Sequence, residues 1–227
     1  MEFVEEQGAA IVATGSFNPA IFQPSWLAKE GIITADEEES AKLDVIHPEI
    51  ARFQIPALKF DVQAERFSMH AVAEPFVRAA DMFFMIFGER LSHCPIESVG
   101  INYWAHIRLR DWAQRQRLGR ALAPIDPWGE FGQLMNADEK DSAGGFSTLT
   151  MRVPFLDNGK EGSINVALQP SNRVPDDVGV FIHVNHHFSE DAAGASGFPE
   201  LVAEKFDASI LRARKLVDHF TVLGRAS

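Results

Sequence analysis

Two segments of the sequence repeat a pattern of amide and imidazole side chains. The first carries Asn102 and His106, and the second carries Asn185 and His187. Because side chains alternate along a strand, each pair lies on the face opposite to that of its apolar neighbours. Amides and imidazoles donate and accept hydrogen bonds, so these four side chains are candidates for lining a groove that binds a polar ligand or a peptide backbone. The more frequent alternative is that each asparagine bridges strand ends through hydrogen bonds within the protein.

The second segment also contains a candidate catalytic motif. His186-His187-Phe188-Ser189-Glu190-Asp191 matches the HHxxxD pattern, and here the chain resembles chloramphenicol acetyltransferase and related acyltransferases. The resemblance implies that His187 is a general base, which removes a hydroxyl or thiol proton during acyl transfer, and that Asp191 has a structural role. It covers six residues without a second acyltransferase motif, so we keep an enzyme as the alternative and favour no catalytic residue.

We expect no metal ion and no cofactor. Histidines four residues apart on one strand, such as His183 and His187, stand about 13 Å apart, too far for one ion without a bend. The single cysteine, Cys94, cannot form an internal disulfide or a cysteine-based metal site. The sequence contains no P-loop, no G-x-G-x-x-G and no G-x-S-x-G, so it gives no support to nucleotide binding or to a serine hydrolase.

A basic and aromatic stretch follows the first of these segments. Its members are Arg108, Arg110, Arg115, Arg117 and Arg120, with Trp104 and Trp112 beside them. Guanidinium groups pair with carboxylates and phosphates, so the stretch is a candidate site for an anionic ligand or for the acidic surface of a protein partner. The alternative is an exposed helix face that pairs with the protein's own 32 acidic residues.

Overall charge limits the partners. Against those 32 acidic residues the 227-residue chain has 21 Lys and Arg, which gives a formal net charge of −11. This balance argues against nucleic acid and against an anionic membrane surface as partners. No apolar run approaches the roughly 18 residues of a membrane span, and the N-terminus is acidic where a signal peptide is basic. We therefore expect a cytoplasmic protein.

Strands and helices must position these side chains, and the apolar spacing predicts both. Strands are predicted over residues 9–17, 42–47, 52–60, 66–73, 97–109, 146–154, 163–169 and 178–188. Helices are predicted over 76–91, 111–122 and 199–223. The pattern indicates an α+β fold in which two long amphipathic helices pack on an antiparallel sheet. We expect one domain over 1–227, with two similar halves at about 1–95 and 96–227 and a possible duplication of a β-β-β-α module.

Several short motifs carry a further resemblance. They include the Phe17-Asn18-Pro19-Ala20-Ile21-Phe22-x-Pro24-x-Trp26 run, Gly100-Ile101-Asn102 and Val184-Asn185-x-His187. In these the chain resembles an uncharacterised bacterial protein family and, more loosely, a sporadically distributed bacterial family with an RYIN-type strand after its central helix. The resemblance implies family membership and brings no mechanism. The chain departs from the pattern between Asn102 and His106.

These observations together predict a non-enzymatic binding or assembly protein. Sheet edges and an aromatic surplus, 18 Phe and 4 Trp, favour self-association, and the arginine stretch favours an acidic partner. The acyltransferase alternative makes a geometric demand, because His187 must then lie in a concave pocket with Asp191 supporting the loop beneath it.

Overall fold

The computed structural model of the protein describes residues 3–134, 146–157, 160–189 and 197–223. In this part of the chain, nine strands form one antiparallel sheet, and the two longest helical segments pack on one of its faces. The predicted α+β class with an antiparallel sheet is therefore confirmed.

The strands are β1 Val4–Gly15, β2 Lys42–His47, β3 Ile50–Ile55, β4 Leu58–Gln63, β5 Arg66–Ala71, β6 Ile96–Arg108, β7 Leu149–Asp157, β8 Lys160–Pro170 and β9 Gly179–Ser189. They lie across the sheet in the order β2-β3-β4-β5-β1-β6-β9-β8-β7. The helices are α1 Pro24–Lys29, α2 Ala35–Glu39, α3 Val77–Phe84, α4 Trp112–Leu122, α5 Gly129–Leu134 and α6 Gly197–Leu223. A π-helical turn, Met85–Arg90, continues α3, and 3₁₀ turns occupy Pro19–Ile21 and Asp126–Trp128. None of the described helices is both long and apolar enough to cross a membrane.

The two halves of the chain have the same order of elements. A long central strand comes first in each, β1 or β6, then antiparallel strands, then a helix, α3 or α6. β1 and β6 pair with each other in the middle of the sheet, where Ile11 lies opposite Ile101. Internal duplication stays a prediction, and the two halves share one core.

The core lies between the sheet and the helices α3 and α6. On β6 the predicted inward face is confirmed, since each of its members is at most 1% exposed: Val99, Ile101, Tyr103, Ala105 and Ile107. Phenylalanines dominate the first half of the core, and the rings of Phe67 and Phe87 meet edge to face at 4.9 Å. Burial of each such side chain contributes roughly 1.5–3 kcal/mol, so packing of the core is sufficient to explain these phenylalanines.

One predicted strand proves to be two. Residues 52–60 do not form a continuous strand, because a tight turn at Pro56 and Ala57 separates β3 from β4 and pairs Ile55 with Leu58. Proline fits the first position of such a turn, where its fixed φ is favourable, and Ala57 follows with φ of 67°. The proline therefore marks a break between two strands, where the sequence predicted one.

The core face also holds a histidine. Alternation along β9 predicts that His186 points inward, and its side chain is 1% exposed. Burial, together with a smaller effect of the Arg212 charge, lowers the pKa of His186 from 6.5 to about 4. The folded protein therefore holds this imidazole neutral over a pH range in which the unfolded chain protonates it.

This pKa difference predicts acid sensitivity. Because the folded pKa is the lower one, the stabilisation is present above pH 6.5 and is lost as pH falls toward 4. We expect His186 to account for a loss of about 2 kcal/mol in the free energy of unfolding between pH 7 and pH 5. Urea unfolding at both pH values should show a smaller loss for His186→Gln than for the wild type. The exposed control His47→Gln should keep the wild-type loss, and an unchanged loss in His186→Gln would contradict the assignment.

Candidate functional site

A groove of about 500 Å³ lies on the open face of the sheet, the face turned away from α3 and α6. We call it the open-face groove. Its floor is formed by small side chains of β1, Ala10 and Val12, beside Gly8. One wall comes from β4 and β5 and the residue after β5: Lys59, Arg66, His70 and Val72. The other comes from β6 and β9: Asn102, Trp104, His106, Phe181 and His183. Glu6 and Arg173 lie at one end.

Strand register brings these residues together. Pairing of β1 with β6 places Gly8 opposite Trp104 and Ala10 opposite Asn102. Pairing of β6 with β9 then places Trp104 opposite His183. A Cβ atom on Gly8 would lie 2.5 Å from the Trp104 ring, so the glycine makes room for the indole beside the floor.

An unbroken row of amides crosses three strands of the open face. Asn102, Asn185 and Asn165 are direct neighbours on β6, β9 and β8. The Asn102 amide nitrogen donates to the Gly100 carbonyl at 3.0 Å, which is the structural role named as the alternative in the sequence. The Asn185 Oδ1 atom is buried and accepts no hydrogen bond. Asn102 lines the groove, whereas Asn185 is not among the residues that line it.

The hydrogen bonds of two histidines determine their tautomers. His183 Nε2 lies 2.9 Å from Asn102 Oδ1, and because this oxygen can only accept, the His183 proton is on Nε2. His106 Nδ1 lies 2.8 Å from Ser171 Oγ, which already accepts from the backbone N–H groups of Arg173 and Val174. The Ser171 hydroxyl therefore donates to His106 Nδ1. The remaining nitrogen, His106 Nε2, then carries the proton as a hydrogen-bond donor.

The groove holds neutral imidazoles beside fixed positive charges. Burial lowers the pKa of His183 and of His106 from the ordinary 6.5. Burial also lowers the pKa of His70, and the charge of Arg66 adds to this effect. The permanent cations are Lys59, Arg66 and Arg173, and Glu6 is the one carboxylate among the lining residues, 3.9 Å from Arg173. The lining therefore carries net positive charge in a strongly acidic chain.

Flat rings form the wall on the side of β6 and β9. The Phe181 ring centre lies 4.6 Å from that of His106, which in turn lies 5.8 Å from that of Trp104. His183 is stacked in parallel with Phe181 at 6.5 Å. The aromatic wall thus lies across the β1 floor from Lys59 and Arg66, which form the cationic wall, and the third cation, Arg173, lies at one end of the groove.

His187, the candidate general base, lies elsewhere on the same face. It is a half-buried residue of β9, opposite Gly100 on one side and Ser163 on the other, and it does not line the open-face groove. Burial lowers the pKa of His187, and Arg152 lowers it further. Asp191 lies outside the described residues. Of the four predicted amide and imidazole residues, the structure therefore brings Asn102 and His106 into the groove and leaves Asn185 and His187 beside it.

The arginine stretch differs from the exposed basic surface that the sequence suggested. Arg108 pairs with Glu5 at 2.6 Å and Arg110 with Asp111 at 3.2 Å, so both are neutralised by the protein's own carboxylates. Arg117 is half-buried on α4. Arg115 is 0% exposed, which corrects its assignment to a surface that an acidic partner could contact. The helical spacing places Arg115 on the inward side of α4, next to the buried Gln114 and Leu118.

Several groove residues were not among the sequence candidates. Lys59, Arg66 and His70 come from segments remote from the two motif-bearing strands, and their positions follow from the pairing of β4, β5 and β1. Arg173 comes from the loop between β8 and β9. The alternation of β5 does place His70 on a polar face. Nothing in the sequence shows which strand lies beside β5.

Comparison with known proteins assigns no family. No protein-family model matches the chain, and no curated protein matches it. Membership of the bacterial family that the sequence resembles stays a prediction. Among the described residues, no group of three or more His, Cys, Asp or Glu side chains is placed to hold a metal ion.

The bond between Asn102 and His183 predicts a stability effect. Asn102→Ala removes the acceptor of the buried His183 N–H, so we expect the free energy of unfolding to fall by about 1–3 kcal/mol. Asn165→Ala is the matched control from the same amide row, since its one contact, to Ser163 Oγ, is 3.4 Å long. Urea unfolding of both variants at pH 7 shows whether Asn102→Ala loses more unfolding free energy than Asn165→Ala. Equal losses would show that the His183 contact adds nothing.

Proposed function

We propose that the protein is a binding protein whose open-face groove holds a small ligand with an anionic group and a flat, unsaturated part. One observation carries the proposal: a floor of small side chains lies between a cationic wall and a wall of rings. Ligand sites typically combine apolar area with a few polar groups that fix orientation, and the lining has this composition.

The cationic wall supports the anionic group. Lys59, Arg66 and Arg173 supply three permanent charges, and Glu6 offsets one of them at a distance of 3.9 Å from Arg173. Guanidinium groups bind carboxylate, sulfonate or phosphate oxygens through charge-assisted hydrogen bonds. A cationic ligand would meet net repulsion in the same place.

The aromatic wall supports the flat part. Trp104 and Phe181 offer ring surface, and His106 and His183 are neutral rings beside them. Ring contacts contribute about 0.5–1.5 kcal/mol beyond the buried area. The His106 Nε2–H donor adds a directional contact to a ligand acceptor.

We place binding ahead of acyl transfer. The catalytic alternative requires His187 in a pocket, and His187 does not line the open-face groove. The groove's own histidines, His106 and His183, are each held by a hydrogen bond to Ser171 or Asn102, which suits fixed contacts to a ligand. The bacterial and cytoplasmic setting expected from the sequence belongs to the same proposal.

A planar aromatic anion tests the groove directly. Isothermal titration with naphthalene-2-sulfonate at low salt should give saturable binding, and Lys59→Gln with Arg173→Gln should weaken it by about tenfold or more because two of the three positive charges of the lining are lost. Phe181→Ala should weaken it by several-fold through loss of ring contact.

Two controls separate groove binding from general adsorption. Arg110→Gln removes an exposed arginine outside the groove and should leave the Kd unchanged. The neutral analogue naphthalene-2-sulfonamide should bind more weakly than the sulfonate. Affinity that is the same in all groove variants would overturn the proposal.

Self-association is the assembly part of the proposed function. Both edge strands expose apolar side chains, with Leu43, Val45 and Ile46 on β2 and Met151 and Val153 on β7. Exposed edges of this kind template pairing between chains. Light scattering at micromolar concentration should report a mass above 25.2 kDa, which Leu43→Lys with Ile46→Lys reduces if β2 mediates the contact. A strict monomer at these concentrations would contradict self-association.

A further inference from the structure

The helix side of the molecule contains one buried positive charge of interest, Arg115 on α4. The side chain is 0% exposed, and none of its three guanidinium nitrogens has a hydrogen-bond acceptor in the described structure. The guanidinium carbon lies 4.9 Å from the centre of the Phe146 ring, in a cation–π contact. An arginine buried in this way is unusual, because the guanidinium gives up its hydration without gaining a hydrogen-bond acceptor.

Neighbouring donors on the same helix share this condition. Trp112 Nε1 and Gln116 Nε2 are also buried without an acceptor, and they stand three residues before and one residue after Arg115. Positions three and four apart lie on one side of a helix, so Trp112, Arg115 and Gln116 present their donors from neighbouring positions. Five buried nitrogen donors without an acceptor among the described residues therefore occur here together.

The charge persists despite burial. Burial lowers the pKa of Arg115 to about 10, and no neighbouring carboxylate opposes the shift. At neutral pH the guanidinium is therefore still protonated. An unpaired buried charge costs several kcal/mol, whereas an oxyanion in its plane would restore two parallel hydrogen bonds.

We propose that Arg115, with Trp112 and Gln116, forms a binding site for the carboxylate or phosphate group of a small ligand. The ligand is small because an acidic protein surface cannot reach a side chain that is fully enclosed. The site is separate from the open-face groove, since α4 packs against α6 on the opposite side of the sheet. The Phe146 ring lies against one face of the Arg115 guanidinium, so the N–H groups at the guanidinium edge remain for the anion.

Thermal unfolding at constant ionic strength tests the site with two probes, inorganic phosphate and acetate. We expect at least one of them to raise the wild-type midpoint by about 3 °C or more at ten times its Kd, because a ligand that binds only the folded state stabilises it. Arg115→Met should not respond and should unfold at a higher temperature than the wild type in probe-free buffer, since it replaces an unpaired buried charge with an apolar chain. The matched control, Arg110→Met, should respond like the wild type.

A measurement on the unmodified protein keeps the test independent of how the variants fold. The Nε–H resonance of Arg115 should shift on titration with the anion that raises the midpoint. Three results would overturn the proposal: no shift with either probe, an equal thermal response in Arg115→Met, or a marked loss of stability in Arg115→Met without probe. The last result would mean that the chain itself supplies the acceptor. Each result is separable from failure of the open-face groove, whose probe and variants are different.

Discussion

The pairing of β1 with β6 is the contact on which both faces of the molecule depend. These strands have 12 and 13 residues, and they lie side by side in the middle of the sheet. Their register sets Ile11 against Ile101 on the core side and Ala10 against Asn102 on the open side. Because side chains alternate along a strand, a slip of one residue would exchange the two sets. The packing of α3 and α6 and the floor of the open-face groove therefore depend on the same register.

Alternation also gives three histidines of β9 different environments. His186 points into the core and has a pKa near 4, whereas its neighbours at 183 and 187 lie on the open face. Asn102 fixes the tautomer of His183, and His187 has no place in the groove. The two histidines of the HHxxxD motif thus lie on opposite faces of a strand. In an extended backbone, two residues that are adjacent in a sequence motif point to opposite faces and therefore do not meet in one site.

The sequence predicted the parts of the fold that rest on local periodicity. The inward face of β6 and the buried position of His186 both follow from alternation, and the structure confirms each. The groove walls were beyond prediction, because Lys59 and His70 reach the site through pairings between distant strands. The burial of Arg115 escaped prediction for a related reason. Its neighbours in sequence are polar, and only the packing of α4 decides which of them face inward.

Net charge constrains which ligands these two sites can hold. The chain carries −11 overall, so an approaching polyanion meets repulsion over most of the surface. Salt screens that repulsion beyond about 8 Å under physiological conditions, and contacts within the groove or around Arg115 act at much shorter range. In the proposed function a small anion reaches the groove cations without bringing charge close to the acidic surface, which a nucleic acid would do. The same proposal implies that the acidic surface disfavours long polyanions and leaves the local positive sites to compact anions.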